Sequence, residues 1–238
     1  MVKAVTQLFD GIYRRLAFWL SCAAAILYSS WPLGFMLNPG VAHHLLASEL
    51  EAPHEPFNWV FISMDVLTGV TVSIIGILQL RAHKRGALMN ASIYGYIFFG
   101  ILVALAALSP LNCNPGTNSC GPLIDDPIVI IHGFASIVSV ILLLVSILVL
   151  TPLIRQYIRV SKMVRILFVT MVGCWTVFGI GSLLELALNI RGNTLQYYFI
   201  TVCSVSIIFI VSVIEHVGVR ERKVLTYEEV GIPKPKSA

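Results

Sequence analysis

Residues 129–150 read VIIHGFASIVSVILLLVSILVL, a run apolar on nearly every side of a helix and interrupted by His132, Ser136, Ser139 and Ser146. A helix crossing a hydrocarbon core about 30 Å thick needs roughly 20 such residues. A barrel strand would alternate polar and apolar side chains, and this run does not. It belongs to an apolar stretch at 127–151, and comparable stretches occur at approximately 17–36, 57–80, 88–109, 163–188 and 196–217. The expected fold is therefore all-α, a polytopic membrane protein built as a single bundle of six transmembrane helices. Composition agrees: of 238 residues, 57% are hydrophobic and 12% charged, and mean hydropathy is +0.86, outside the range of soluble domains.

Charge placement orients the bundle. Lys and Arg cluster before the first span (Lys3, Arg14, Arg15), in the second connection (Arg81, Lys84, Arg85), in the fourth (Arg155, Arg159, Lys162, Arg165) and in the tail, whereas the opposite face carries Arg191 alone. By the positive-inside rule both termini lie in the cytoplasm, and the protein is a multi-pass component of the cell membrane. The net charge of +4 is then a topology signal. No basic patch interleaves with exposed aromatics, so nucleic acid is not an expected partner. Arg14, Arg15 and the following apolar run imitate a secretion signal, but the run continues to Met36 and is read as retained.

Three regions follow. Residues 1–16 place Val5, Leu8, Phe9, Ile12 and Leu16 on one face, an amphipathic lead-in on the cytoplasmic surface; 17–217 form the transmembrane domain; 218–238 form a flexible cytoplasmic tail. Pro56 and Pro127 mark the starts of the second and fourth helices, and Asp125 and Asp126 sit where a helix dipole favours carboxylates. Cys22, Cys174 and Cys203 are packing residues within spans. Cys113 and Cys120 bracket CNPGTNSC in an outer loop, where a disulfide is expected to staple the turn.

Polar groups are expensive in hydrocarbon, so their positions inform. Asn58, Asp65 and Thr68 share one face of the second span, His132 and Ser136 lie on the fourth, and Ser182 and Glu185 lie near the outer end of the fifth. At roughly 1.5 Å per residue, Asp65 and His132 stand at similar depth. The expectation is that they face each other across a cavity opening outward, with Ser48, Glu49, His54, Asn58, Thr68, Ser136 and Glu185 completing a ligand-binding site. An apolar cavity with a polar mouth suits a membrane lipid or amphiphilic small molecule. The plain alternative is an interhelical hydrogen bond that only holds the bundle together. A hydrolase would use His132 as base, Asp65 to orient it, and Ser48, Ser63 or Thr68 as nucleophile. A small proton-coupled transporter would use Asp65 and His132 as a relay, although repeated halves with broken helices are not evident.

Other chemistries are less well served. His43, His44 and His54 with Glu49, Glu51 and Glu55 lack metal-ligand spacing, and acids in such a loop are expected to be solvated. His132 and His216 lie at opposite ends of the spans, which excludes a bis-histidine haem; no cofactor is expected. Glu215 and His216 are expected to reach water at the cytoplasmic end of the last span. Glycines 69, 76, 173, 179 and 181, with Ser73, permit close helix approach, within one bundle or between copies in a homo-oligomer.

Ser48-Glu49-Leu50, Ala52-Pro53, Asn58, Phe61, His132-Gly133 and Ala135 resemble the uncharacterised six-helix prokaryotic membrane family numbered 998 among the domains of unknown function. The resemblance runs from the first span to the sixth and implies a six-helix membrane fold. Glu51 stands where such proteins commonly have glycine, and the cysteine-bracketed loop is a second departure. A looser similarity in layout to the Frag1/DRAM group, and a still looser one to the ceramidase and adiponectin-receptor hydrolases, imply a lipid-facing role.

Overall fold

The computed structural model describes residues 2–39, 47–82, 86–111, 126–157, 162–188 and 193–230. Among them there are seven α-helices and no strand: α1 (Val2–Tyr28), α2 (Pro32–Leu37), α3 (Asn58–Ala82), α4 (Ala87–Ala107), α5 (Pro127–Tyr157), α6 (Lys162–Leu188) and α7 (Asn193–Val230). A short 3-10 helix, Ala47–Glu51, precedes α3. Four segments are long and apolar enough to cross a membrane, Asn58–Arg81, Ala87–Ala107, Pro127–Pro152 and Gln196–Glu215. The apolar parts of α1 and α6, Arg15–Tyr28 and Arg165–Gly181, are shorter.

Helix ends follow local chemistry. Pro127 opens α5, where its missing N–H leaves no bond unmade. Asp126 caps it: Oδ1 accepts the Ile128 N–H at 2.9 Å. At the first span the expectation of one helix over 17–36 is corrected. α1 runs unbroken from Val2, so the amphipathic lead-in and the span are one helix, and it stops at Tyr28. Pro32 cannot donate to the preceding turn and instead starts α2. α7 likewise continues to Val230, beyond the expected end at Val217.

Packing is cyclic. α4 lies between α3 and α5, α1 between α3 and α7, and α5 meets α7, while α6 packs mainly on α7. Tyr96 and Phe99 of α4, Leu143 and Leu150 of α5, and Ile207, Phe209 and Ile210 of α7 are fully buried in this ring. Outward faces remain apolar, as Phe98, Phe134, Leu148 and Val169 illustrate. That inversion suits lipid as the surrounding medium.

Contact between α3 and α4 is a backbone contact. A Cβ at Gly69 would overlap the Gly100 carbonyl oxygen, and one at Gly100 would stand 2.6 Å from Ser73 Oγ. Ser73 Oγ donates to Gly69 O at 2.8 Å and reaches Ile97 O at 3.2 Å. Between α4 and α5, Ser146 covers Gly95, and Ser92 Oγ donates to Ser146 O at 3.0 Å. Small residues thus serve close approach where hydrophobic transfer supplies little drive. The glycines of α6 do otherwise: among the described residues nothing lies within 4 Å of a Cβ at Gly173 or Gly179, so no close helix approach is made there.

At the far end of the bundle, Glu215 is buried and accepts a hydrogen bond from Gln79 Nε2 at 3.3 Å. Its expected exposure to water is corrected because α7 does not end there. Replacing Gly100 with leucine should force α3 and α4 apart, costing roughly 1–3 kcal/mol by overpacking, while Gly173→Ala, with nothing within 4 Å of its Cβ, should be neutral. Melting temperatures of the two purified variants in one detergent provide the comparison.

Candidate functional site

A cavity of about 110 Å³ lies where α1 and α4 end and α3, α5 and α7 begin. One water requires roughly 10–15 Å³ by the same measure, so the space holds several waters or one small polar group. Tyr28 of α1 and Trp31 just beyond it form one side, and Phe61 and Asp65 come from α3. Val103, Ala106 and Ala107 close the α4 side; His132, Ser136 and Ser139 come from α5, and Gln196 and Phe199 from α7. Ser48, Leu50 and Glu51 lie across it from the 3-10 helix.

That helix is positioned by a small core of its own. Leu50 packs on Phe61 beside Leu33, Phe35 and Leu37. Gln196 holds it from α7, accepting the Ala47 N–H at 2.7 Å through Oε1 and reaching Ser48 Oγ with Nε2 at 3.3 Å. Phe57, with φ of 59°, makes the sharp turn that carries the chain from this segment into α3. Few non-glycine residues accept that left-handed conformation.

The fold-back places Glu51 against Asp65, and their carboxyl groups are hydrogen-bonded. Two carboxylates cannot make such a bond, so the pair holds at least one proton. Burial pushes the Glu51 carboxyl well above the usual carboxylate range, and the Asp65 charge and hydrogen bond raise it further.

His132 is anchored from the other side. Its Nδ1 lies 3.0 Å from the Ala106 carbonyl oxygen and 3.1 Å from that of Ser109, both at the end of α4. Both partners accept only, so Nδ1 carries the proton and caps terminal carbonyls of α4. Nε2 is left with a lone pair and no hydrogen-bond partner among the described residues.

Of the residues the sequence singles out, Ser48, Asp65, His132 and Ser136 line the cavity together. The other assignments fall elsewhere. Thr68 is buried between helices, donating to Met64 O at 2.9 Å and reaching Ala24 O at 3.3 Å. Asn58 accepts the Trp59 N–H at 2.8 Å at the start of α3. His54 is exposed and pairs with Glu55 at 3.4 Å, and Glu55 also accepts from Asn38 Nδ2 at 2.9 Å. Glu49 is buried beside Tyr197 and is not part of the cavity wall. The loop acids Glu49, Glu51 and Glu55, expected to be solvated, are therefore all buried. The side chain of Glu185, and Cys113, Cys120, His43 and His44 entirely, lie outside the described residues.

Sequence reasoning placed Glu51 only among the rim acids and passed over Gln196, Tyr28 and Trp31. A lone amide at the outer start of an apolar span, on the same side of the bundle as Asp65 and His132, is the signal that could have found Gln196. Of the candidate nucleophiles, Ser48 lines the cavity, Ser63 is exposed and Thr68 is elsewhere. No group of three or more His, Cys, Asp or Glu suited to a metal occurs among the described residues.

The apolar helical bundle, with a cavity holding Glu51, Asp65 and His132 recessed in one end, defines a polytopic helical membrane protein. Within that class the chain belongs to the DUF998 family, described as a protein of unknown function, whose family model matches residues 21–216. No curated protein and no solved structure matches the chain.

Glu51 predicts a pH dependence. Its folded-state carboxyl holds a proton more tightly than in the unfolded chain, so that contribution is complete at acid pH and is lost as pH climbs from the ordinary carboxylate range through the raised value. Melting temperature in detergent should fall across that window in the native protein, and Glu51→Gln should flatten the profile. An unchanged slope in the variant would assign the dependence elsewhere.

Proposed function

We propose that this protein is a six-span component of the cell membrane, termini in the cytoplasm, whose outward-facing pocket binds the polar head of a lipid-like or amphiphilic molecule. The observation that carries the reading is that Asp65 and His132, from different helices, line one cavity whose other walls are largely apolar and aromatic. Its volume suits a headgroup and not an acyl chain; chains would lie along the apolar exterior of the bundle. The orientation rests on the basic residues, which cluster at the opposite end of the spans.

Alanine at Asp65 or His132 should lower the amount of co-purifying lipid, measured by native mass spectrometry per folded protein, by tenfold or more while folded yield falls less. Parallel loss of both quantities would make the two side chains struts of the bundle and remove the binding role.

A hydrolase is the second reading, favoured by Ser48 sharing the cavity with His132, whose Nε2 retains its lone pair. The expected Asp65 orienter is engaged by Glu51, and two carbonyls orient the imidazole in its place. Labelling by a fluorophosphonate that disappears in Ser48→Ala supports this chemistry; no labelling, together with no turnover of lipid esters, counts against it.

A further inference from the structure

Hydrogen-bond accounting around the cavity narrows the ligand. Ser139 Oγ gives its proton to Ser136 O at 2.8 Å, Gln196 spends an amide proton on Ser48, and His132 spends Nδ1–H on the end of α4. The hydroxyls of Ser30, Ser48 and Ser136 in the wall can donate or accept, while its ionisable groups are the carboxyls of Glu51 and Asp65 and the imidazole of His132. No Lys or Arg lines it among the described residues. A bound phosphate or carboxylate would meet negative charge and lone pairs with no cation to receive it, whereas a cation would relieve both.

Shape selects among cations. Tyr28, Trp31, Phe61 and Phe199 supply aromatic surface in the same wall, and ring faces attract organic ammonium groups. Absence of a three-ligand acidic or histidine cluster among the described residues weighs against a coordinated metal ion. Trp31 of the same wall also holds a buried indole N–H with no hydrogen-bond partner among the described residues.

Resting on the pocket reading above, we propose that the group bound here is a small organic ammonium, held by the Glu51–Asp65 carboxyl pair and His132 Nε2 against the aromatic wall. The ammonium donates hydrogen bonds to the carboxyl oxygens and to Nε2, and where it takes the place of the proton shared by the carboxyls, that proton leaves to solvent. A lipid headgroup and a free amine present the same chemistry.

The test uses the full chain in detergent micelles with three probes: dihexanoyl-phosphatidylethanolamine, dihexanoyl-phosphatidylglycerol and ethylammonium chloride. Binding read by calorimetry should favour the ethanolamine lipid over the glycerol lipid by tenfold or more, and Glu51→Gln and Asp65→Asn should each erase that preference. Competition by ethylammonium would identify a site for free amines, and its failure to compete, with the ethanolamine lipid bound, a site for a lipid-borne ammonium. Equal binding of both lipids to the native protein overturns the ammonium assignment while leaving an amphiphile pocket in place. Binding of neither lipid and no ethylammonium binding overturns both, and because the native chain alone gives these outcomes, a variant that fails to fold does not shield the proposal.

Discussion

The hydrogen bond between the carboxyls of Glu51 and Asp65 ties a connecting segment onto a helix that would otherwise carry an unpaired acid inside the bundle. An ionised side chain in that environment costs several kcal/mol unless it is neutralised or partnered. Here the partner is a second acid, brought against Asp65 where residues 47–51 fold over the end of the helices. Leu50 and Gln196 then secure the segment from its other sides. The cavity exists because these three attachments leave a gap between the segment and the ends of α1, α4, α5 and α7.

His132 illustrates how an anchored ring nitrogen fixes the rest of a side chain. Its Nδ1 lies between the carbonyls of Ala106, which also accepts the Ser109 N–H, and of Ser109, just past the end of α4. The same bonds fix the tautomer and hold the ring still. The anchoring of one imidazole nitrogen is what gives the other a defined position.

Much of the architecture could be read from the chain because hydrocarbon imposes a strong rule on sequence. Four apolar runs appear as helical segments within a residue or two of their expected limits, although the helices α5 and α7 continue past them to Tyr157 and Val230, and Pro127 and Asp126 mark the start of α5 as proline and aspartate chemistry requires. The end of the first span was not legible, because Ser29, Ser30 and Trp31 are as compatible with a helix as with the break observed, and hydropathy carries no directional information. At the site, Asp65 and His132 were recognisable since depth along a span follows from counting residues. Their partners were not. Glu51 reaches Asp65 through a fold-back that depends on a left-handed turn at Phe57, and nothing local in an acidic loop announces whether it is solvated or covered. Thr68 shows the converse: on the correct face at the expected spacing, it is nonetheless used up by backbone carbonyls of two helices.

The close approach of α3 to α4 at Gly69 and Gly100, continued by Ser92 and Ser146 toward α5, joins three sides of the cavity into one stiff body. Residues 47–51 are fastened to that body by a handful of polar contacts and a small apolar cluster. Opening the hollow by lifting this flap would sacrifice hydrogen bonds worth about 1 kcal/mol apiece, whereas prying the helices apart would sacrifice their entire interlocked seam. The weaker of the two seams around the hollow is thus the one at residues 47–51, and one or two side chains there can be changed without altering the frame beneath.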